Sequence, residues 1–337
     1  MRAAVVRKYG PPENFEYREW PDAAANADEC LVRVRAVGIN FADLMQRMGV
    51  YPGTPKAPFV PGFEVAGTVE RAPAGGDLKL GDRVVAMTRF NAYAELAACA
   101  PESVFAIPDA LTFEQAAAMP VNYLTAYHSM FEMGNLREGD RVLIHGAAGG
   151  VGVAAVQLAR AKKLVTFGTA GAAKQDFLRK IGVDHPIDYT KEGCVAAVRR
   201  VAPHGIEMAL DPIGGKSFKE SLRCLGTMGR LVVFGFSAAA GPSGKRSVPR
   251  AVKALAQTPR ISPLKLMEKN QAVIGVHLGR MQGREAVLRR QMLELLRLYE
   301  EGAIQPHVGK TFALKDATEA HRYIHDRKNV GKVVLVV

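Results

Sequence analysis

The sequence predicts an α/β protein in two parts, a β-rich region and a doubly wound parallel sheet of six strands. Three observations predict it. The first 120 residues carry short alternating apolar runs broken by glycine and proline. From about residue 140, apolar runs are separated by helical segments, the pattern of βαβ units. At 141–152 a strand runs into a glycine-rich turn that opens a helix.

The elements follow in order. Residues 29–37 (ECLVRVRAV) set Val32, Val34 and Ala36 against Arg33 and Arg35, the period of two of a half-buried strand. Residues 63–71 and 82–87 read as further strands, with Gly81-Asp82 as turn punctuation. Between the strands at 29–37 and 63–71, Pro52, Pro55, Pro58 and Pro61 forbid a regular helix and predict a fixed, irregular loop of the kind that often carries function. Six strands are then expected at 141–146, 164–170, 185–188, 206–211, 230–235 and 271–276, the number of a complete dinucleotide-binding sheet. Beyond residue 280, Leu288, Met292, Leu295 and Tyr299 form a helical stripe that Gly302 stops. Asp316 and Glu319 predict a capping box for a helix at 317–325, and KVVLVV closes the chain as a strand. These last elements are expected to return to the first region.

At 337 residues the chain can bury two cores, one for a cofactor domain and one for a substrate domain. Hydrophobic residues at 48% and charged residues at 23% exclude long disorder. No apolar stretch approaches the roughly 20 residues that span a bilayer, and the N-terminus reads as neither signal nor transit peptide. Cys30, Cys99, Cys194 and Cys224 form no C-x-x-C pair, so a reducing cytoplasm is expected. The net charge of +12 raises nucleic acid as a partner, but spread over a whole enzyme it more simply attracts an anionic cofactor; no nucleic acid is expected.

The strongest motif is RVLIHGAAGGVGVAAVQLAR at 141–160. Aligned to G-x-G-x-x-G it reads Ala147-x-Gly149-x-x-Gly152. Gly149 lets backbone approach a pyrophosphate, Gly152 lets helix meet strand, and the helix N-terminus offers N–H donors. After the second strand no acid occurs until Asp176, while Lys174 stands where it can meet a 2′-phosphate. NADP(H) is therefore the expected cofactor.

These residues, with GINFADLMQRMGVYP at 38–52, VPGFEVAGTV at 60–69, GDRV at 81–84, PVNYLTAYHSMFEMGNLREGDRVLIHGAAGGVG at 120–152 and the terminal GKVVLVV, resemble the zinc-independent quinone oxidoreductases of the medium-chain dehydrogenase/reductase superfamily. Segment 238–272 resembles the branch of the vesicle amine transport protein homologues. The resemblance implies a bilobal α/β molecule: a GroES-like catalytic domain at 1–120 and 279–337, a six-stranded Rossmann domain at 121–278, and an active site in the cleft between them. It places Asn40 and Thr125 at the nicotinamide end of the cofactor. It puts Ala148, Gly149, Gly150, Val151 and Gly152 at the pyrophosphate, and Thr169, Lys174 and Tyr189 toward the adenosine 2′-phosphate. Gly235, Phe236 and Lys332 would line the cofactor cleft and Tyr51 would face the substrate. For Tyr189 and Phe236, filling the edge of a core is an equal alternative. A homodimer through the sixth strand is also implied.

Metal-dependent relatives carry cysteine where Asn40 stands and histidine where Phe63 stands, and neither residue here is a credible zinc ligand. A lone His128 or His145 reads as a satisfied core or surface residue. Without a Lewis acid, a conjugated acceptor is the easier substrate, because a quinone or enone delocalises the incoming charge on to oxygen. The expected function is hydride transfer from NADPH to quinones or related conjugated carbonyls, with Tyr51 or a water donating to the acceptor's oxygen. An alkenal or enoyl-thioester double-bond reductase is the alternative. A further alternative is a membrane-associated or nucleic-acid-binding protein using 245–269, where Lys245, Arg246, Arg250, Lys253, Arg260, Lys265 and Lys269 face only Glu268. A solvated helix is the expected state of that segment.

Overall fold

Alternating burial builds the first region. In the computed structural model, which describes residues 1–240 and 247–337, Arg2–Val6 (β1) and Phe15–Glu19 (β2) pair as a separate antiparallel hairpin. Cys30–Ile39 (β3) buries Val32, Val34 and Ala36 and exposes Arg33 and Arg35, as the period of two requires. A helix follows at Phe41–Arg47 (α1), then the proline-rich loop, which contains no helix and no strand. Strands Glu64–Arg71 (β4), Arg83–Met87 (β5), Leu96–Cys99 (β6) and Val104–Ala106 (β7) complete this part, with short helices at Phe113–Ala116 (α2) and Pro120–Tyr127 (α3).

The chain divides inside α3. One unit comprises Met1–Leu124 and Gly279–Val337, the other 125–240 and Ser247–Leu278. The second unit alternates strand and helix: Arg141–Ile144 (β8), Gly150–Ala161 (α4), Val165–Ala170 (β9), Gln175–Lys180 (α5), His185–Asp188 (β10), Cys194–Val201 (α6), Ile206–Asp211 (β11), Lys216–Cys224 (α7), Leu225–Val233 (β12), Val248–Gln257 (α8), Pro263–Lys269 (α9) and Ala272–Gly275 (β13). Its strands pair in parallel in the order β10-β9-β8-β11-β12-β13, a doubly wound Rossmann sheet. Leu143, Phe167, Ala209 and Leu231 are buried in it, each large apolar side chain contributing about 1.5–3 kcal/mol. The order reverses between β8 and β11, and ligands of such sheets bind beyond the carboxyl ends of strands there.

Glu285–Glu300 (α10), Val308–Ala313 (β14), Ala317–His325 (α11) and Lys332–Val336 (β15) return to the first unit. Its sheet runs β14-β15-β3-β4-β5-β7, with β6 also on β3. Because Val333 pairs with Ile39 and Val65 with Val37, the first residues of β15 and β4 arrive beside the end of β3.

Three expectations need correction. The strand expected at 141–146 ends at Ile144, because Gly146 takes φ +64° and turns the chain. The fifth strand begins at Leu225, earlier than 230, and ends at Val233. The helix at 317–325 forms, but the capping box does not: a 3₁₀ turn at Leu314–Asp316 leads into it, Asp316 makes no side-chain cap, and Glu319 pairs with Arg322 instead. The four cysteines are free, yet the fold brings them into two pairs: Cys30 stands opposite Cys99 across β3 and β6, and the Cys194 and Cys224 sulfurs lie 4.0 Å apart.

Candidate active site

In the first unit the site is built around Asn40, the residue between β3 and α1. Its backbone N–H donates to the Asp43 carboxylate at 2.9 Å. Asn40 Nδ2 donates to Glu64 Oε1 at 2.7 Å, and Lys332 Nζ donates to Asn40 Oδ1 at 2.7 Å and to Glu64 Oε1. Glu64 Oε2 accepts the Val121 N–H at 2.8 Å. Asn40, Glu64 and Lys332 are all buried. A buried ammonium and carboxylate survive together only when paired and hydrogen-bonded, as here. Gly38 makes the room: a Cβ on it would lie 2.7 Å from Glu64 Oε1 and from Lys332 Cε, and 2.1 Å from the Ala117 carbonyl oxygen.

Tyr51, half-buried in the loop after α1, has its ring 5.2 Å from that of Phe63, which lies 6.1 Å from Phe90. Burial, with the Asp43 carboxylate adding to it, raises the Tyr51 phenol above its ordinary value and keeps it a donor. The three rings form an aromatic wall in the same unit as the Asn40–Glu64–Lys332 cluster.

In the second unit the turn from β8 into α4 is pinned to β9. Gly146 N–H donates to Thr169 Oγ1 at 3.2 Å and Ala147 N–H to the Thr169 carbonyl at 3.0 Å. A Cβ on Gly152 would stand 2.3 Å from the Gly146 carbonyl oxygen, so helix and turn can touch only at glycine. Gly149 is less constrained, at φ −84° and 3.3 Å from the same oxygen. Nothing lies within 4 Å of a Cβ on Gly146, so space is open beside the turn. The first N–H groups of α4, including Gly150, Val151 and Gly152, have no partner within the helix. Open space beside such donors fits a pyrophosphate.

A buried chain supports this turn. Asp211 Oδ2 accepts from the hydroxyls of Ser217 (2.6 Å) and Ser221 (2.8 Å), and its Oδ1 from the N–H groups of Ile213 and Gly214. Ser221 therefore receives, at 3.0 Å, the proton on His145 Nε2. His145 Nδ1 then accepts from the Thr169 hydroxyl at 3.3 Å, and Thr169 accepts from Gly146. Burial lowers the His145 pKa and keeps the ring neutral, as this order requires. Thr169 thus spends its hydroxyl on the turn.

The remaining expected residues also lie in the second unit. Lys174 ends a 3₁₀ turn after β9, and the Tyr189 hydroxyl is 3.4 Å from where a Cβ on Gly171 would stand, so both flank the same strand end. Tyr189 is 54% exposed, too open to fill a core edge. Phe236 is half-buried, its ring packed over Gly214 and 6.2 Å from Phe218; Gly235 lies close over Pro212. Thr125 is buried in α3, and Ala148 is buried in the turn. The expected residues thus fall into two groups, Asn40, Tyr51 and Lys332 in one unit and the nucleotide residues in the other. Sequence reasoning missed Glu64, Asp43, His321 and Asp211; an acid inside the apolar run VPGFEVAGTV was the available signal for Glu64.

Comparison with known proteins follows the same lines. Residues 26–127 match the family described as the alcohol dehydrogenase GroES-like domain, and residues 181–335 that described as zinc-binding dehydrogenase. Among the described residues, no group of three histidines, cysteines or acids is placed to hold a metal. The chain is 38% identical to the human synaptic vesicle membrane protein VAT-1 homolog over 341 residues, covering 100% of this chain and 86% of that protein. It is 32% identical to mouse quinone oxidoreductase-like protein 2, covering 99% and 91%. The structure of Escherichia coli quinone oxidoreductase complexed with NADPH superposes with a TM-score of 0.87 at 29% identity over 100% of both chains. The chain belongs to the medium-chain dehydrogenase/reductase superfamily, in the quinone oxidoreductase family that includes the VAT-1 homologues.

Proposed function

We propose that this protein is a zinc-independent reductase that passes hydride from NADPH to quinones or related conjugated carbonyl compounds. The observation that carries the proposal is the buried Asn40–Glu64–Lys332 cluster. Where metal-dependent relatives carry a zinc-binding cysteine, this chain has an amide held by an ammonium and a carboxylate. NADPH supplies the hydride. The α4 turn holds the pyrophosphate, Lys174 and Tyr189 meet the 2′-phosphate, and Asn40 and Thr125 orient the nicotinamide end. The Tyr51–Phe63–Phe90 wall suits a flat conjugated ring, and the Tyr51 hydroxyl donates to the oxygen on which charge develops. An unconjugated alcohol or ketone gains little in a site of this kind. Tyr51→Phe tests the role: turnover of a 1,4-quinone falls at least several-fold while NADPH affinity and folding persist. An unchanged rate removes Tyr51 from the reaction.

A homodimer is part of the proposal, formed through β13, the edge strand of its sheet, and light scattering in solution checks it. The free thiols suit a reducing cytoplasm.

A second reading is favoured by α8 and α9. Val248, Val252 and Leu255 form an i, i+4, i+7 stripe that is 59–72% exposed, and Leu264 and Met267 repeat it at 67% and 68%. Arg250, Lys253, Lys265 and Lys269 stand on the same two helices; Lys245 and Arg246 lie outside the described residues. Among those residues, no helix is long and apolar enough to cross a membrane. Apolar residues facing outward among cations suit the surface of an anionic bilayer, where a solvated helix would bury them. Salt-sensitive binding to phosphatidylserine vesicles, lost on Val252→Asp with Leu255→Asp, supports this reading; binding unaffected by those changes removes it.

A further inference from the structure

Behind Asn40 lies a second buried polar chain that hydride transfer as described above does not use. Asp43, wholly buried on α1, accepts the Asn40 N–H at 2.9 Å and the Tyr93 hydroxyl at 3.0 Å, both on Oδ2. Its Oδ1 is buried and has no hydrogen-bond partner among the described residues. The Tyr93 oxygen lies 3.0 Å from His321 Nε2, and His321 Nδ1 lies 3.3 Å from Arg47 Nε. Arg47, fully buried, also donates to the Gly10 carbonyl and to His325 Nε2.

Donor capacity sets the direction of this chain. Arginine only donates, so His321 Nδ1 accepts and the neutral ring carries its proton on Nε2. Burial, with Arg47 adding to it, holds His321 well below its ordinary pKa, so the ring stays neutral. Nε2–H then goes to the Tyr93 oxygen and the Tyr93 proton to Asp43. From Arg47 Nε through His321 and Tyr93, each donor points toward one carboxylate, and that carboxylate is a single N–H away from Asn40.

We infer that Asp43 is a positioning residue for the reaction: its ionised carboxylate fixes the Asn40 backbone, and so the amide that Glu64 and Lys332 hold, while its protonation loosens that hold. The inference rests on the reductase reading of this site. A charged acceptor makes the shorter, stronger bond to an N–H, which gives protonation its effect. The groups facing Asp43 are Arg47 on its own helix, Tyr51 from the following loop, Glu64 from β4, Tyr93, His321 from α11 and Lys332 from β15. Burial raises the carboxyl, and the Asn40 N–H, Lys332 and Tyr93 oppose it; the carboxyl is pushed up to about 7. His325, held at about 4 by burial, does not titrate in that range.

The test uses the whole protein. The backbone amide of Asn40 is followed by ¹⁵N NMR between about pH 5.5 and 8.5, alongside NADPH affinity and kcat and KM for 1,4-benzoquinone. The expected result is an Asn40 amide shift with an inflection near pH 7 and a kcat that rises several-fold through the same inflection. Tyr93→Phe removes a donor that favours the carboxylate and moves both inflections to higher pH. Asp43→Asn abolishes both, and should it not fold, the direction of the Tyr93→Phe shift decides. A flat Asn40 amide, a kcat inflection that survives Asp43→Asn, or a Tyr93→Phe shift to lower pH overturns the inference. Failure to reduce any quinone overturns the reductase reading instead. In that event NADPH affinity must follow the Asn40 inflection, and affinity independent of it overturns the inference.

Discussion

Replacing Lys332 by methionine keeps most of the side chain's volume and removes its charge. Lys332 is 2% exposed and Glu64 0%, so the variant leaves a carboxylate in the interior with Asn40 Nδ2 and the Val121 N–H as its remaining donors among the described residues. Stranding one member of a buried pair costs about 3–5 kcal/mol. In a unit of this size each kcal/mol moves Tm by about 2–4 °C, so Lys332→Met should melt about 6–20 °C below the parent. The double variant Lys332→Met with Glu64→Gln removes the stranded charge, and the new amide can donate to Asn40 Oδ1 while accepting from Val121. It should recover more than half of the loss. Urea and thermal unfolding followed by circular dichroism measure the cycle, and NADPH oxidation measures whether Asn40 stays in place. A single variant that loses less than about 1 kcal/mol, or a double variant whose losses simply add, refutes the argument that these charges exist as a buried pair.

Gly38→Ala should be among the most damaging single-methyl additions, because its Cβ meets the Ala117 carbonyl oxygen at 2.1 Å and both members of the ion pair; loss of soluble protein or a Tm drop of several degrees checks it. Gly152→Ala should weaken NADPH binding about tenfold or more by pushing the turn off its helix, whereas Gly149→Ala, at 3.3 Å, should cost much less, as fluorescence titration of both will report. Lys174→Glu should raise KM for NADPH far more than for NADH, and equal effects would remove Lys174 from phosphate recognition. Asp43 has a folded pKa of about 7, above the unfolded carboxylate value of about 3.9, so the folded chain binds the extra proton between those values. Stability measured against Asp43→Asn should therefore fall as pH rises through that window and level off above it; a rise would contradict the assignment.

How far the sequence could be read follows from how local each signal is. The six strands of the second unit and the glycine turn are local patterns of period and spacing, and their order in the sheet follows the doubly wound rule. Boundaries slipped where a backbone angle decided, as at Gly146. The cap at Asp316 failed because a 3₁₀ turn, invisible to residue spacing, leads into the helix. The polar chains were out of reach: Arg47 and His321 are 274 positions apart and meet only because β15 returns beside β3. His145 read as a lone histidine, and only the meeting of its strand end with Thr169 on β9 and Ser221 on α7 reveals its partners. The cysteines likewise looked scattered until the strand register set Cys30 against Cys99.

The most direct test of a metal-free NADPH:quinone reductase is NADPH oxidation by protein treated with chelator, its zinc content measured, across quinones, enones, enoyl thioesters and simple ketones. The account predicts full turnover with zinc-free protein, fastest with quinones and absent with simple ketones. Activity lost on chelation and restored by zinc, or oxidation confined to unconjugated carbonyls, would contradict it.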